Sequence, residues 1–368
     1  MLFSEIPGLT LLKEKLKHAV KSNHVAHAQL FSGSPGSLNL PMAAAFSQYI
    51  HCTNQGDDSC GQCPACVKSA KFIHPDTHFF FPYTAKTDET LRTAALKEWR
   101  LFLKEKPFGS LNDWTFYYKG EDKNPIISVE TGREMLRSLL LKPYESHCKA
   151  VIIWLPELMH FSTSNVILKM LEEPPTQTYF ILVTNESEQL LPTIISRTQA
   201  VRIPMLTDEE LRHYLTSKYE LPEKQLTEII QISEGNISMA ENLLQQTDRQ
   251  FDYFFNWMLA CYSQRYAELV KMADEFHEMD KQSQYAILLY ALAMLRETVM
   301  QLGNVPTLNR LQGEQLERVT KLSRLLTLGK LEIFYRCIND APYQLERNGS
   351  AKMIFMHVSL QAAKAFHS

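Results

Sequence analysis

The chain is predicted to be an α/β domain followed by an all-helical remainder. Three short and mostly apolar segments, at residues 28–32, 150–155 and 179–184, have the length and composition of buried strands. Segments with helical spacing of apolar residues separate them, and this alternation predicts a parallel sheet with helices on both faces. From residue 206 onward only helical spacing recurs.

The helices of the front half follow from local signals. Apolar residues at helical spacing predict a helix over 9–22, and a second is expected near 40–51. Ser128 is a plausible start for a helix over 128–142. Ser162 or Ser164 could cap a further helix that ends at Glu173, because Pro174 and Pro175 cannot continue it.

Composition describes an ordinary globular protein. The 368 residues are 45% hydrophobic and 21% charged, with a net charge of −3, which suits two or three domains. An acidic balance argues against binding nucleic acid through a basic surface of its own. No apolar run approaches 18 residues and the first residues lack a signal sequence, so we expect no membrane association and a cytoplasmic location, where seven cysteines stay reduced unless a metal holds them.

Residues 29–40 read as an apolar strand that enters a glycine-rich loop, as in a P-loop ATPase. Gly33 supplies the first glycine of the pattern G-x-x-x-x-G-K-[ST], and Gly36 is an additional one. The positions that bind phosphate and Mg²⁺ hold other residues: Leu38 for the second glycine, Asn39 for the lysine and Leu40 for the hydroxyl residue. The loop is predicted to keep its shape without its chemistry, although Gly-Ser-Pro-Gly alone is more often a surface turn.

Four of the cysteines form a strong metal-binding pattern. Their spacing is C-x7-C-x2-C-x2-C, formed by Cys52, Cys60, Cys63 and Cys66. Four thiolates suit tetrahedral Zn²⁺ without an open position, which predicts a structural site that orders residues 52–66. The alternative is a set of free or redox cysteines. His51 and His74 are possible but unneeded ligands. The remaining cysteines are expected to be packing residues: Cys148, Cys261 and Cys337.

Several words of the sequence occur together and in order: His24-Val25-Ala26-His27-Ala28, the altered loop, the four cysteines, His74-Pro75-Asp76, Leu168-Lys169-Met170-Leu171-Glu172-Glu173-Pro174-Pro175 and Ser196-Arg197-Thr198. With them the chain resembles the delta-prime subunits of bacterial DNA polymerase III clamp loaders, within the AAA+ superfamily. The resemblance implies an AAA+ RecA-like parallel-sheet domain over 1–205 that carries the zinc module and an insertion at 84–124. It further implies a helical lid over 206–249 and a helical collar domain for oligomerisation over 250–368.

The resemblance also implies that this subunit is not a motor. The two positions where motor relatives carry an Asp-Glu pair for Mg²⁺ and water hold Trp154 and Leu155, and Glu157 is poorly placed to substitute. Ser238 stands where motor subunits place a nucleotide-sensing arginine. We therefore expect structural Zn²⁺ as the only cofactor, with no ATP or Mg²⁺.

Ser196-Arg197-Thr198 matches the S-R-C motif of the family, with threonine for cysteine. The resemblance implies that Arg197, with Ser196 beside it, is presented to ATP bound by the adjacent subunit. A planar and permanently charged guanidinium suits phosphate oxygens. Without the resemblance, Arg197 would be interpreted as a surface ion pair. Glu172 and Glu173 stand beside two prolines with no perturbing partner visible in the sequence. The resemblance implies that this segment shapes the subunit interface, so both are assigned to structure.

The insertion at 84–124 carries a predicted helix over 88–106 and an aromatic stretch over 114–118, which we expect to be a strand packed on that helix. Stacking of these aromatic residues on single-stranded nucleic acid is the alternative.

The functional hypothesis is a non-motor clamp-loader subunit. It would assemble with motor subunits and a delta subunit, donate Arg197 in trans and support loading of the sliding clamp onto primer–template DNA. The alternatives are a zinc-dependent nucleic-acid-binding module and an active P-loop NTPase with an unusual loop.

Overall fold

The computed structural model describes residues 1–84, 89–118, 125–244, 247–303, 311, 313–346 and 349–367. The described residues fall into two compact units. Unit 1 takes those of Met1–Gly120, Asn124–Tyr214 and Gly235–Ser238, and unit 2 takes those of Leu215–Glu234 and Met239–Ser368. Parts of the predicted insertion, 85–88 and 119–124, lie outside the described residues.

Unit 1 is built on a five-stranded parallel sheet in the order β2-β3-β4-β1-β5. Its strands are β1 (Ala28–Ser32), β2 (Thr77–Phe80), β3 (Lys149–Trp154), β4 (Thr178–Thr184) and β5 (Gln199–Arg202). The three predicted strands correspond to β1, β3 and β4 and form the centre of the sheet. Every residue of β3 is buried, as expected of a strand covered on both faces.

The helices of unit 1 surround this sheet. They are α1 (Thr10–Lys21), α2 (Asn39–His51), α3 (Pro64–Ala70), α4 (Glu89–Glu105), α5 (Leu111–Tyr117), α6 (Val129–Leu140), α7 (Phe161–Glu172) and α8 (Pro192–Ile195), with short 3₁₀ turns at Phe3–Glu5, Pro156–Leu158 and Ser187–Gln189. Helix α9 (Asp208–Lys218) continues the chain into unit 2. On one side of the sheet α6 and α7 pack together over a core that includes Leu30, Val151 and Phe180.

Two helix starts can be compared with the sequence. Ser128 caps α6 as predicted, since its side chain accepts the amide hydrogen of Thr131. The predicted serine cap of α7 is wrong: the His160 ring accepts the amide hydrogen of Ser162 instead. The helix does end at Glu172, directly before the residue that precedes the two prolines.

Unit 2 is helical throughout its described residues, which confirms the α/β-then-all-α fold class. It contains α10 (Glu223–Ser233), most of α11 (Ile237–Leu243), α12 (Thr247–Tyr262), α13 (Tyr266–Glu278), α14 (Lys281–Leu302), α15 (Gly313–Ser323), α16 (Leu328–Glu346) and α17 (Ala351–His367). Helices α10 and α14 contact each other within this unit. The boundaries at 205 and 249 that the resemblance implies stay a prediction.

One described helix, α14, is long and apolar enough to cross a membrane by length and composition, over Ser283–Leu302. It packs against α12, α15 and α16, as a core helix of a helical unit does. A single helix of mean hydropathy 1.2 does not indicate a membrane protein.

The His74-Pro75-Asp76 segment stabilises a loop of unit 1. The buried carboxylate of Asp76 accepts three backbone hydrogen bonds, from Tyr144 at 2.6 Å and from Glu145 and Ser146 at 2.8 Å each. Burial opposes the charge, but these donors outweigh it and lower the pKa of Asp76 below its ordinary value. The carboxylate thereby fixes the loop that leads from α6 into β3.

Replacing Asp76 with asparagine should lower the free energy of unfolding by ~1.5–3 kcal/mol at neutral pH, since an amide cannot satisfy three donors equally. A depressed pKa stabilises the fold fully above about pH 4 and ceases to do so as the pH falls through the folded value. Urea unfolding at pH 7 and pH 3 should therefore show a gap between wild type and variant that narrows in acid. Asp340→Asn, at an exposed position, is the control; equal midpoints for all three proteins at pH 7 would contradict the assignment.

Candidate functional site

The glycine-rich loop joins β1 to α2 and contains an internal backbone hydrogen bond. The amide of Ser37 donates to the carbonyl of Ser34 at 2.9 Å. Gly36 has a φ of +85°, and a Cβ at this position would lie 2.2 Å from the side chain of Asn236. Asn236 also donates to the carbonyl of Pro35 at 3.2 Å. The Asn236 side chain therefore lies directly against the loop at Gly36.

Asn39, at the position of the phosphate-binding lysine, is buried and hydrogen-bonded to the end of β4. Its amide group donates to the carbonyl of Thr184 at 3.1 Å and to the side-chain oxygen of Asn185 at 2.8 Å, both at the end of β4. Its own side-chain oxygen accepts the amide hydrogen of Leu40 at 2.8 Å. The amide of Gly33 donates to the same carbonyl of Thr184 at 3.2 Å, so both ends of the loop are held by one strand end.

Glu157 completes this polar network. Its carboxylate accepts the hydroxyl hydrogen of Thr184 at 2.8 Å and the amide hydrogen of Asn185 at 3.0 Å. Burial raises the pKa of Glu157 and exceeds the opposing effect of these hydrogen bonds. Both carboxylate oxygens of Glu157 are thus engaged by donors at the end of β4.

The two positions of the motor family's acidic pair are filled by apolar side chains. Trp154 ends β3 at 2% exposure, and Leu155 follows it at 3% exposure with a φ of +53°. The Trp154 ring lies 5.0 Å from that of Trp99 and 6.4 Å from that of Phe102, both on α4. Packing replaces charge at the end of the strand.

The helices of the insertion supply this packing. Trp99 stacks on Phe81 at 4.2 Å and meets Trp114 of α5 edge-on at 5.0 Å, and the indole of Trp114 donates to the carbonyl of Pro82 at 2.7 Å. Ser238, at the position of the sensor arginine, lies 3.4 Å from a carboxylate oxygen of Asp113 on α5.

The expected helix over 88–106 is confirmed as α4, but the strand expected over 114–118 is wrong, because these residues lie in and just after α5. A capping box between Ser110 and Asp113 starts this helix, and the buried Trp114 anchors it, which overrides the β propensity of the aromatic residues. Trp99 and Trp114 are fully buried, so they offer no face on which a nucleotide could stack.

Arg197 lies directly after α8 on the surface of unit 1. One terminal nitrogen of its guanidinium donates to the carbonyl of Thr193 at 3.0 Å and lies 3.4 Å from the hydroxyl oxygen of Ser196. The other terminal nitrogen is 2.7 Å from a carboxylate oxygen of Glu172, at the end of α7. The side chain is 35% exposed, so part of the guanidinium faces outward.

The pair between Glu172 and Arg197 corrects the expectation that Glu172 has no charged partner. Sequence reasoning missed it because 24 residues and a strand separate the two positions, and no local pattern links them. Tertiary structure brings the Leu-Glu-Glu-Pro-Pro word and the Ser-Arg-Thr word to the same surface.

The four predicted metal ligands converge. The sulfur atoms of Cys52, Cys60, Cys63 and Cys66 all lie within 4.8 Å of one another, near the separation of about 3.8 Å that four 2.3 Å Zn–S bonds in a tetrahedron require. Backbone amides of the segment donate to three of these sulfurs at 3.3–3.4 Å. Cys52 ends α2 and Cys63 caps α3, so two helix ends position the cluster.

The pKa values of the four cluster thiols are shifted in both directions, upward at Cys52 and Cys66 and downward at Cys60 and Cys63. Burial raises the pKa of Cys66, whereas at Cys63 hydrogen bonds from Thr53 and Cys66 outweigh burial and lower the pKa to about 6. A divalent cation bound by all four as thiolates would offset half of their negative charge. The donor set and its spacing fit structural Zn²⁺.

The two spare histidines lie outside the group of four sulfurs. The rings of His51 and His74 stack on each other at 4.4 Å, and His51 is within 2.8 Å of the Ser146 hydroxyl. Burial, followed by the neighbouring His74, lowers the pKa of His51 to about 3, so it is neutral. Cys148 and Cys261 are buried and Cys337 is partly buried.

Known proteins share the sequence over this region. A profile of the family described as DNA polymerase III, delta subunit, matches residues 9–207, more than half of the chain. The DNA polymerase III subunit delta' of Haemophilus influenzae is 25% identical over 220 residues, covering 60% of this chain and 55% of that protein. The Escherichia coli subunit of the same name is 24% identical over 238 residues, covering 63% and 58%.

A third relative, the subunit delta' of Yersinia pestis, is 29% identical over 49% of this chain and 42% of its own. The chain spans about half the length of the curated relatives it matches. Among solved structures, a gamma-subunit-related protein of Thermotoga maritima aligns with 96% of this chain and 99% of its own at 15% identity and a TM-score of 0.42. A TM-score this low does not establish a common fold. The family match extends over the sheet, the altered loop and the cysteine cluster. The chain therefore belongs to the DNA polymerase III delta-subunit family, with the delta' subunits as its relatives.

Proposed function

We propose that this chain is a non-motor subunit of a DNA polymerase III clamp loader, which donates Arg197 to an ATP site on an adjacent motor subunit. The observation that carries the proposal is the contrast between two sites of unit 1. The position of its own nucleotide site is filled by protein side chains, while Arg197 is held at the surface with part of its guanidinium exposed.

The filled site supports the absence of hydrolysis by this subunit. Phosphoryl transfer depends on charge stabilisation by a lysine and Mg²⁺, together with a residue that orients the nucleophile. Asn39 is a neutral amide bound to β4, and Trp154 and Leu155 are apolar. Glu157 is held by Thr184 and Asn185. An active P-loop NTPase is therefore disfavoured, and we expect neither ATP nor Mg²⁺ as a cofactor.

The surface site supports a role in trans. Arginine has five N–H donors in a planar fork, and the described contacts of Arg197 engage only some of them. The remaining donors can bind phosphate oxygens presented by a neighbouring subunit. Ser196 contributes by placing its hydroxyl beside the guanidinium.

The names of the relatives support the choice of assembly. They are called subunits delta', tau and gamma of DNA polymerase III. We propose motor subunits and a delta subunit as direct partners in the cytoplasm, with the sliding clamp and primer–template DNA reached through the complex. The nucleic-acid-binding alternative has less support, since the net charge is −3 and two tryptophans of the insertion are buried.

We further propose that Cys52, Cys60, Cys63 and Cys66 hold one structural Zn²⁺. Its binding would fix the segment between α2 and α3 and leave the sheet as it is. The Cys52→Ser variant should lose the metal and the local order of residues 52–66 without losing the fold. Zinc content by mass spectrometry and protease cleavage within 52–66 measure the two effects, with Cys337→Ser as a control that keeps the metal. Wild-type protein without zinc would contradict the proposal.

Isolated wild-type chain should show no saturable binding of a fluorescent ATP analogue, because the lysine, hydroxyl and acidic positions of the site are all replaced. A motor subunit titrated in the same buffer with Mg²⁺ is the positive control. Saturable binding by this chain that unlabelled ATP displaces would favour the NTPase alternative instead.

Replacing Arg197 with alanine in the reconstituted loader should lower clamp- and DNA-stimulated ATP turnover by at least tenfold, because arginine fingers contribute about 10³–10⁵ in rate at the site they serve. The complex should still assemble, as checked by gel filtration. Arg202→Ala, an exposed arginine on β5, is the matched control. Unchanged turnover in an intact complex would make Arg197 structural.

A further inference from the structure

The guanidinium of Arg197 is held at both of its terminal nitrogens, and Glu172 provides one of the two contacts. The terminal nitrogen on one side is 3.0 Å from the Thr193 carbonyl, and the terminal nitrogen on the other side is 2.7 Å from the Glu172 carboxylate. Two acceptors on opposite sides of a planar group fix both its direction and its rotation. The Thr193 carbonyl alone would fix only one of its nitrogens.

The two acceptors come from different elements. Thr193 belongs to α8, four residues before Arg197, and moves with it. Glu172 is the last residue of α7, which packs against α8 and belongs to the core of unit 1 through Ile167, Met170 and Leu171. The Glu172 carboxylate therefore fixes the position of the guanidinium relative to the core of unit 1. Helix α8 has only four residues and cannot hold a long side chain by itself.

We infer that Glu172 is a positioning residue for Arg197: it accepts a hydrogen bond from one end of the guanidinium and so directs the remaining N–H donors outward. This inference rests on the proposed role of Arg197 in trans. An arginine side chain has many accessible rotamers, and a guanidinium already fixed in direction loses less rotamer entropy when a phosphate binds. Glu172 itself does not contact the nucleotide.

The neighbouring Glu173 provides a matched comparison. It is exposed, it has the same side chain, and it forms no ion pair in the part of the chain that the structure describes. A nonspecific effect of removing a negative charge from this surface should appear equally in both positions. An effect through Arg197 should appear only at Glu172.

The hydrogen bond can be separated from the charge. Glutamine at position 172 keeps a side-chain oxygen that accepts from Arg197 and loses the charge, whereas alanine loses both. If the residue positions the guanidinium, Glu172→Ala should lower stimulated ATP turnover and Glu172→Gln should retain most of it. If the carboxylate instead competes with the phosphate for Arg197, both variants should raise turnover.

The experiment is the stimulated ATPase assay on the reconstituted loader, with wild type, Arg197→Ala, Glu172→Ala, Glu172→Gln and Glu173→Ala compared at saturating ATP. We expect a two- to fivefold fall in turnover for Glu172→Ala, in line with the strength of partly exposed ion pairs, and near-wild-type turnover for Glu172→Gln and Glu173→Ala. The double variant Glu172→Ala/Arg197→Ala should lose no more turnover than Arg197→Ala alone, because Glu172 acts through Arg197.

Two results would overturn the inference while leaving the proposed function intact: wild-type turnover in Glu172→Ala alongside a loss in Arg197→Ala, or a rise in both Glu172 variants. Wild-type turnover in Arg197→Ala would overturn the proposed function itself. Gel filtration of each complex distinguishes these outcomes from failed assembly, which would show as free subunit.

Discussion

The parallel pairing of β1 with β4 and of β3 with β4 is the constraint on which the rest of unit 1 depends. Parallel strands place their carboxyl ends at one edge of the sheet, and in α/β proteins this edge is where ligands bind. Here the edge brings together Asn39, Thr184, Asn185 and Glu157 in one hydrogen-bonded network. The network gives these four residues hydrogen-bond partners within the protein.

At the same edge, packing has taken the place of charge. A motor subunit keeps carboxylates at the end of its third strand for a metal, and such charges need a ligand to offset their burial. Trp154 needs none, because Trp99 and Phe102 from the insertion cover it. The insertion and the altered strand end are thus complementary, and each provides apolar surface that the other buries.

The surface that carries Arg197 and Glu172 differs from this strand edge, because it keeps charged groups. Arg197 and Glu172 remain partly exposed, and an exposed pair contributes little to the stability of the fold. The pair matters for direction, since two acceptors on separate helices orient a flexible side chain. The proposed role in trans needs such a fixed direction of the guanidinium. The cysteine cluster is a separate feature, in which four thiols at two helix ends fit a metal that would order a short segment.

The sequence by itself determined the central strands, the helical back half, the grouping of four cysteines and the replacement of the residues expected in a phosphate-binding loop. These are local properties: apolar runs, periodicity, ligand spacing and residue identity at a motif are all visible along the chain. Only the tertiary structure decided what fills the altered site, that residues 114–117 are helical, that His160 caps α7 and that Glu172 contacts Arg197. The His160 cap is a local contact that takes the place of the serine caps expected from the sequence. What fills the altered site and what pairs with Glu172 depend on contacts between residues far apart in sequence, such as Trp99 with Trp154, and local propensity does not encode which distant partner will supply the burial or the hydrogen bond.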